Sequence, residues 1–140
     1  MEGDAVYQGD CIRTVKEFME LILINRYDSE AIPIGVLSYE NSVYRFRYFK
    51  KCRADLPDGF YKVSGFDDMN PECVYKSDRL FWVFADRMTP RSRPDFKDRL
   101  KKLGMTEFNE WEYLKRSGLR RMTDSYELVE PDKMDNIPKL

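Results

Sequence analysis

The stretch that decides the fold is AIPIGVLSYENSVYRFRYF, residues 31–49, which has the pattern of two strands and a turn. In its second half, residues 43–49, aromatic side chains alternate with arginines, and a period of two residues is typical of a strand with one buried face. The residues on the aromatic face are Tyr44, Phe46 and Tyr48. An aromatic face on a small sheet has to be covered, so this stretch predicts a second layer packed against it.

The first half of the stretch, Ala31–Tyr39, predicts a strand that pairs with the second half. By alternation, its apolar face holds Ile32, Ile34 and Val36. Pro33 has no N–H to donate to a neighbouring strand, so we expect an edge position or a β-bulge there. Glu40 and Asn41 lie between the two strands and predict a two-residue hairpin turn, because asparagine tolerates positive φ.

The sequence on either side extends this hairpin into a larger sheet. Residues Phe18–Arg26 contain a continuous apolar run and predict a third antiparallel strand, which completes a three-stranded meander. Residues Lys50–Lys76 show little periodicity and predict a long irregular connection with a short strand at Phe60–Val63. A C-terminal strand is predicted at Met122–Val129.

Three helices are predicted before that last strand. The first runs over Ser77–Met88, with Ser77 as its N-cap and Pro90 forcing a break after it. The second runs over Pro94–Leu103, and the third begins at Thr106 or Asn109 and ends at Ser117, before the capping residue Gly118. The fold class predicted is therefore α+β, a small antiparallel sheet packed against three helices.

Length and composition indicate one domain. The chain has 140 residues, of which 42% are hydrophobic and 35% charged, a globular composition. We expect a partly disordered N-terminal extension over residues 1–17, a single domain over residues 18–131 and a flexible tail over residues 132–140.

The residue inventory argues against most catalytic and cofactor sites. The chain has no histidine, which removes Ser-His-Asp triads and histidine metal sites, and it has neither GxGxxG nor GxxxxGK[ST]. We therefore expect no enzyme activity, no cofactor and no metal. The three cysteines, Cys11, Cys52 and Cys73, have no CxxC spacing, so reduced thiols and a cytoplasmic location are expected. No run approaches the about 20 apolar residues of a membrane span, so no membrane contact is expected.

Two basic stretches and a tryptophan suggest a contact surface. The formal net charge is −1, yet residues 87–93 and 115–121 hold seven basic residues and no acid. The residues that we predict to bind a partner are Trp82, Arg87, Arg91, Arg93, Arg116, Arg120 and Arg121. In the alternative interpretation, the arginines cap helix ends and pair with Asp86 and Asp95. The aromatic row with its arginines likewise has two interpretations, a stacking platform for single-stranded nucleic acid or the core under the helices, and we expect core.

Several of these strings resemble the N-terminal subdomain of HipA-type proteins. Residues 34–49 resemble the family's opening hairpin, a VGxL strand followed by a YxFxY strand; the matching residues are Gly35, Leu37, Tyr44, Phe46 and Tyr48. Residues 80–105 resemble the helix-turn-helix that follows, although the family's PDS turn reads Pro90-Arg91-Ser92 here. Residues 107–130 resemble the closing segment, and the best matches are Leu114, Gly118 and Leu128–Pro131. The family's GAV piece reads Arg121-Met122-Thr123 here. The resemblance spans about residues 18–131.

HipA-type proteins are serine/threonine kinases of toxin–antitoxin modules, and the motifs of a kinase are not found in these 140 residues. The resemblance therefore implies the HipS-type arrangement, in which the N-terminal subdomain is a separate small protein that binds and restrains the kinase. The implied partners are a HipA-type kinase or related toxin, with a DNA-binding antitoxin in the same complex. The alternative is a nucleic-acid-associated accessory domain of the kind found beside HIRAN domains, using the arginine-rich surface.

Overall fold

The computed structural model describes residues 19–51 and 53–134, which build one antiparallel sheet and a layer of helices. The sheet has five strands in the order β4-β3-β2-β1-β5. The strands are β1 Met19–Tyr27, β2 Glu30–Glu40, β3 Val43–Tyr48, β4 Tyr75–Ser77 and β5 Tyr126–Val129. The α-helices of this part of the chain are α1 Trp82–Ala85, α2 Phe96–Lys102 and α3 Glu110–Ser117, and a 3-10 turn covers Pro131–Lys133. The predicted α+β class is confirmed.

The β2–β3 hairpin forms as predicted, but its turn lies one residue further along the chain. Glu40 pairs with Val43, so the turn residues are Asn41 and Ser42. Their φ angles are 51° and 63°, and two consecutive left-handed residues form the turn whose twist matches that of paired strands. The expected positive φ at Asn41 is confirmed.

β2 lies between β1 and β3, so of the two alternatives expected at Pro33 it is the bulge that is present and not the edge position. The register with β1 shifts at Ile34, which has no partner residue there. Because the extra residue reverses the alternation, Val36 packs on the opposite face from Ile32 and Ile34. The prediction that all three share a face is therefore wrong.

The predicted helix at Ser77–Met88 is wrong over most of its length. Its first residue closes β4, and the Ser77 hydroxyl accepts a hydrogen bond from the Arg79 N–H at 3.1 Å, which forms a turn instead of a cap. Only Trp82–Ala85 is α-helical, with no side-chain cap. At Ser77, pairing with the open edge of β3 overrides the local helix preference, a nonlocal effect that periodicity does not record.

Several further elements are shorter than predicted; α2, for example, covers Phe96–Lys102 instead of Pro94–Leu103. The strand expected at Phe60–Val63 is reduced to a single bridge between Val63 and Phe66 in an irregular connection. β5 begins at Tyr126 instead of Met122. By contrast, α3 has the predicted caps: the Asn109 side chain accepts a hydrogen bond from the Glu112 N–H at 2.9 Å, and Gly118 takes φ 66°.

The main core lies between the aromatic face of the sheet and the helices. Tyr44, Phe46 and Tyr48 are at most 3% exposed, so this row is core and not an open stacking platform. Phe46 stacks on Phe66 with ring centroids 4.3 Å apart, and Trp111 of α3 lies 6.4 Å from Tyr44. The predicted cover over the aromatic face is therefore present.

The opposite face of the sheet carries a second, smaller apolar cluster. Its buried members are Ile22, Ile24, Val36 and Phe49, with Val129 and Met134 packed against them. The buried members of the main core lie between Leu21 and Leu128. The extension predicted over residues 1–17 lies outside the described residues, as does most of the predicted tail, of which residues 132–134 are described.

Candidate partner-binding site

Arg87 is held inside the molecule by four hydrogen bonds. Its guanidinium donates to both carboxylate oxygens of Asp124 at 2.6 and 2.9 Å, to the Leu119 carbonyl at 2.8 Å and to the Tyr126 carbonyl at 3.3 Å. The Arg87 side chain is only 10% exposed. These bonds join the segment just after α1 to the loop before β5 and to the first residue of β5. Arg87 therefore supports the site structurally, while its charge is neutralised by Asp124.

Four of the other five predicted arginines lie within ion-pair distance of an acid. Arg121 donates to the Asp86 carbonyl and carboxylate, and Arg93 pairs with Asp95 at 3.1 Å, the two acids named by the alternative interpretation. Arg116 pairs with Glu112 at 3.1 Å and also bonds the carbonyls of Leu103 and Gly104 at the end of α2. Arg120 lies 3.9 Å from Glu127.

Arg91 differs from the other five predicted arginines. It forms no ion pair among the described residues, and its guanidinium lies over the Phe108 ring, 4.7 Å from the centroid. No described carboxylate therefore neutralises the Arg91 guanidinium, which is exposed at the surface.

The two tryptophans have opposite environments. Trp111 is 5% exposed in the core, whereas Trp82 is 62% exposed at the start of α1. The Trp82 indole lies against Gly65, where an added Cβ would be 3.1 Å from the indole nitrogen. The indole N–H donates to no acceptor within the described part of the chain. Trp82 thus offers a ring and a free donor at the surface, both of which suit an interface anchor.

Trp82 stands beside a groove of about 340 Å³, called here the Trp82 groove. Its apolar lining consists of Leu23, Val63, Val83, Phe84, Leu119 and Leu128. Its charged lining consists of Lys62, Asp86, Arg87, Arg121, Asp124 and Glu127. The fold thus brings together three of the predicted residues, Trp82, Arg87 and Arg121, while Arg91, Arg93, Arg116 and Arg120 lie outside this groove.

The electrostatics of the Trp82 groove are balanced. The hydrogen bonds from Arg87 hold the pKa of the Asp124 carboxyl below its ordinary value, and the nearby charge of Arg121 acts in the same direction. Asp124 and Asp86 each lie within ion-pair distance of an arginine, Arg87 and Arg121 respectively. A groove with three cations and three anions fits a partner that offers apolar contact and its own mixed charges.

Two features near this end of the molecule carried no signal in the sequence, one under the Trp82 ring and one outside the groove. Gly65 permits the close approach of the Trp82 ring, and Met122, on the loop after α3, is fully exposed. Both depend on long-range packing, which spacing along the chain does not reveal.

Within residues 19–51 and 53–134, no group of three or more His, Cys, Asp or Glu residues could hold a metal ion. No helix in these ranges is both long and apolar enough to cross a membrane. Cys73 is a free thiol, and Cys52 and Cys11 lie outside the described residues.

Comparison of the chain with protein-family models, with curated proteins and with solved structures found no match to any of them.

Proposed function

We propose that this protein is a non-catalytic binding module that holds another protein through the Trp82 groove. The observation that carries the proposal is Trp82, which is 62% exposed and lines a groove together with several apolar side chains. An exposed large aromatic side chain leaves a large apolar area in contact with water. Burial of such side chains contributes much of the binding free energy at protein interfaces.

Hydrogen bonds connect the segments that line the groove, which favours a binding role. Arg87 fixes α1 to the loop before β5, and Arg121 fastens that loop to the end of α1 through Asp86. A groove held in shape before binding loses less conformational entropy when the partner arrives.

The proposed partner is a HipA-type serine/threonine kinase or a related toxin, on the strength of the hairpin and helix-turn-helix resemblance. Binding would restrain the kinase by occlusion or by holding one conformation. The accessory-domain alternative draws little support from the predicted arginines, because Arg87, Arg93 and Arg121 are each paired with an acid.

The proposal is tested by co-expressing the tagged chain with the product of the neighbouring gene and identifying what co-purifies. We expect a HipA-type kinase, bound by the wild-type chain and weakened about 30-fold by Trp82→Ala, because a central aromatic anchor contributes about 2 kcal/mol or more. Calorimetry gives the two affinities.

The matched control is Met122→Ala, which removes an exposed apolar side chain that does not line the groove. It should bind the partner as the wild type does. A partner unrelated to kinases would reject the kinase assignment, and equal affinity for wild type and Trp82→Ala would reject the groove.

A further inference from the structure

A second groove lies at the far end of the helical layer, between α2 and the loop that leads into α3. It has a volume of about 690 Å³, and we call it the α2 groove. Its apolar lining consists of Phe96, Leu100, Met105 and Phe108. None of its residues lines the Trp82 groove.

The charges around the α2 groove are predominantly positive. Arg91, Lys97 and Lys101 line it together with one acid, Glu107. Among the described residues, none of the three cations forms an ion pair with a carboxylate. The helix itself, FKDRLKK, carries four cations and a single acid, and its charged side chains are exposed.

This lack of acidic partners distinguishes the α2 groove from the other basic parts of the surface. Arg87, Arg93 and Arg121 are each satisfied within the chain. Arg91 is instead held across the Phe108 ring, which places an unneutralised guanidinium directly over an aromatic lining residue. Apolar surface and free positive charge therefore coincide at one place.

We infer that the α2 groove binds an acidic segment of a partner protein whose apolar side chains enter between Phe108 and Leu100 while its carboxylates face Arg91, Lys97 and Lys101. Charge complementarity sets the sign of the partner, since an acidic segment gains three attractive contacts for one repulsive one. The apolar lining favours a peptide over nucleic acid, because phosphates gain nothing from aliphatic side chains such as Leu100 and Met105.

The test is selection of a phage-displayed random-peptide library on the immobilised full-length protein, followed by fluorescence anisotropy with a synthetic copy of the enriched peptide. Enriched peptides should combine Asp or Glu with Leu, Phe or Trp. The double variant Lys97→Glu/Lys101→Glu should weaken binding at least about tenfold, because two attractions become repulsions. Both positions are exposed, so the variant should keep the wild-type circular dichroism spectrum.

The control variant is Lys76→Glu/Arg79→Glu, which makes the same change in net charge at exposed cations outside both grooves. It should retain the wild-type affinity, as should Trp82→Ala, which tests the other groove. The inference is overturned if no peptide is enriched, if the enriched peptides lack carboxylates, or if both charge-reversed proteins bind equally. It is likewise overturned if Trp82→Ala abolishes binding, or if a single-stranded oligonucleotide binds this groove more tightly than the peptide.

Discussion

Arg87 and Arg93 belong to one basic stretch, yet their surroundings give them different roles. The Arg87 side chain is 10% exposed and bonds two backbone carbonyls besides Asp124. Arg93 is half exposed, and its ion pair is with Asp95, its near neighbour in the chain. An enclosed guanidinium that satisfies several acceptors contributes far more to stability than an exposed ion pair, whose charges water already solvates.

Replacing Arg87 by alanine should lower the free energy of unfolding by about 2–4 kcal/mol, because Asp124 and two carbonyls would lose their donor. Urea unfolding followed by circular dichroism measures the loss. The matched variant Arg93→Ala should stay within about 0.5 kcal/mol of wild type. Similar losses for the two variants would show that Arg87 has no special structural role.

The ion pair between Arg87 and Asp124 also predicts how the stability of the fold changes in acid. Since the pKa of Asp124 is held below its ordinary value of 3.8, its ionised form stabilises the fold above that pH. That contribution is lost as the pH falls through the lowered pKa. The stability difference between wild type and Arg87→Ala should therefore be full at neutral pH and shrink below about pH 4.

Tyr48 provides the corresponding prediction in alkali. Its hydroxyl donates to the Phe66 carbonyl at 2.6 Å and accepts from the Val63 N–H at 2.9 Å, and burial raises its pKa from 10.0 to about 12. Because the pKa is raised in the folded state, the protonated Tyr48 hydroxyl contributes fully to the free energy of unfolding below pH 10. This contribution is lost as the pH rises towards 12.

Between pH 10 and 12, ionisation of Tyr48 should lower the wild-type free energy of unfolding by about 2–3 kcal/mol. The free energy of unfolding of Tyr48→Phe should decline less steeply with pH. Urea unfolding at a series of pH values measures both slopes. The phenylalanine variant starts from lower stability at neutral pH, since the Phe66 carbonyl loses its donor. Parallel slopes for the two proteins would assign the alkaline sensitivity to other tyrosines.

The individual residues of the site were predictable only by type. The sequence indicated that tryptophan and arginine in the region 82–121 could meet a partner, and three of the seven named residues do line one groove. It could not distinguish Arg87, whose neutralising acid Asp124 lies 37 residues further along the chain, from Arg91, which has none within the described residues. Pairing across such separations depends on the fold.

Among the strands and helices, those specified by local sequence signals were predicted better than those that depend on long-range pairing. The hairpin and α3 were predictable because alternation, turn residues and caps lie within the elements themselves. β4 was not, because three residues become a strand only when β3 offers an open edge. Of the predicted first helix, only the single turn Trp82–Ala85 is helical, and Trp82 at its start is exposed.

Close packing within the hairpin gives a prediction at Gly35. An added Cβ there would lie 2.6 Å from the Arg47 carbonyl oxygen and 2.7 Å from the Phe46 ring. Because the nearest atom is backbone of the paired strand, Gly35→Ala should force β2 and β3 apart and cost at least about 2 kcal/mol of unfolding free energy.

The comparison variant for Gly35→Ala is Gly59→Ala, where an added Cβ meets nothing within 4 Å and only the φ of 79° is unfavourable. We expect a loss of about 1 kcal/mol at that position. Thermal unfolding measured side by side ranks the two. A larger loss at Gly59 would show that the hairpin can absorb a methyl group between its strands.

For the whole molecule, one core cluster joins the sheet, the irregular connection and all three described helices. A single shared core predicts cooperative unfolding without a stable part-folded state. The two tryptophans differ strongly in exposure to solvent. Trp111 is packed near Tyr39 and Tyr44, whereas Trp82 is exposed at the surface.

Single-tryptophan variants should therefore report two different environments in one cooperative fold. With Trp82→Phe, the remaining Trp111 should emit at short wavelength, resist quenching by acrylamide and change in step with far-ultraviolet circular dichroism during unfolding, because burial and secondary structure are lost together. With Trp111→Phe, the remaining Trp82 should emit at long wavelength and be quenched readily in the free protein. Partner binding at the Trp82 groove should then shift the Trp82 emission to shorter wavelength and protect it from acrylamide. A Trp82 that is already shielded in the free protein would contradict the exposed position on which the proposed interface depends.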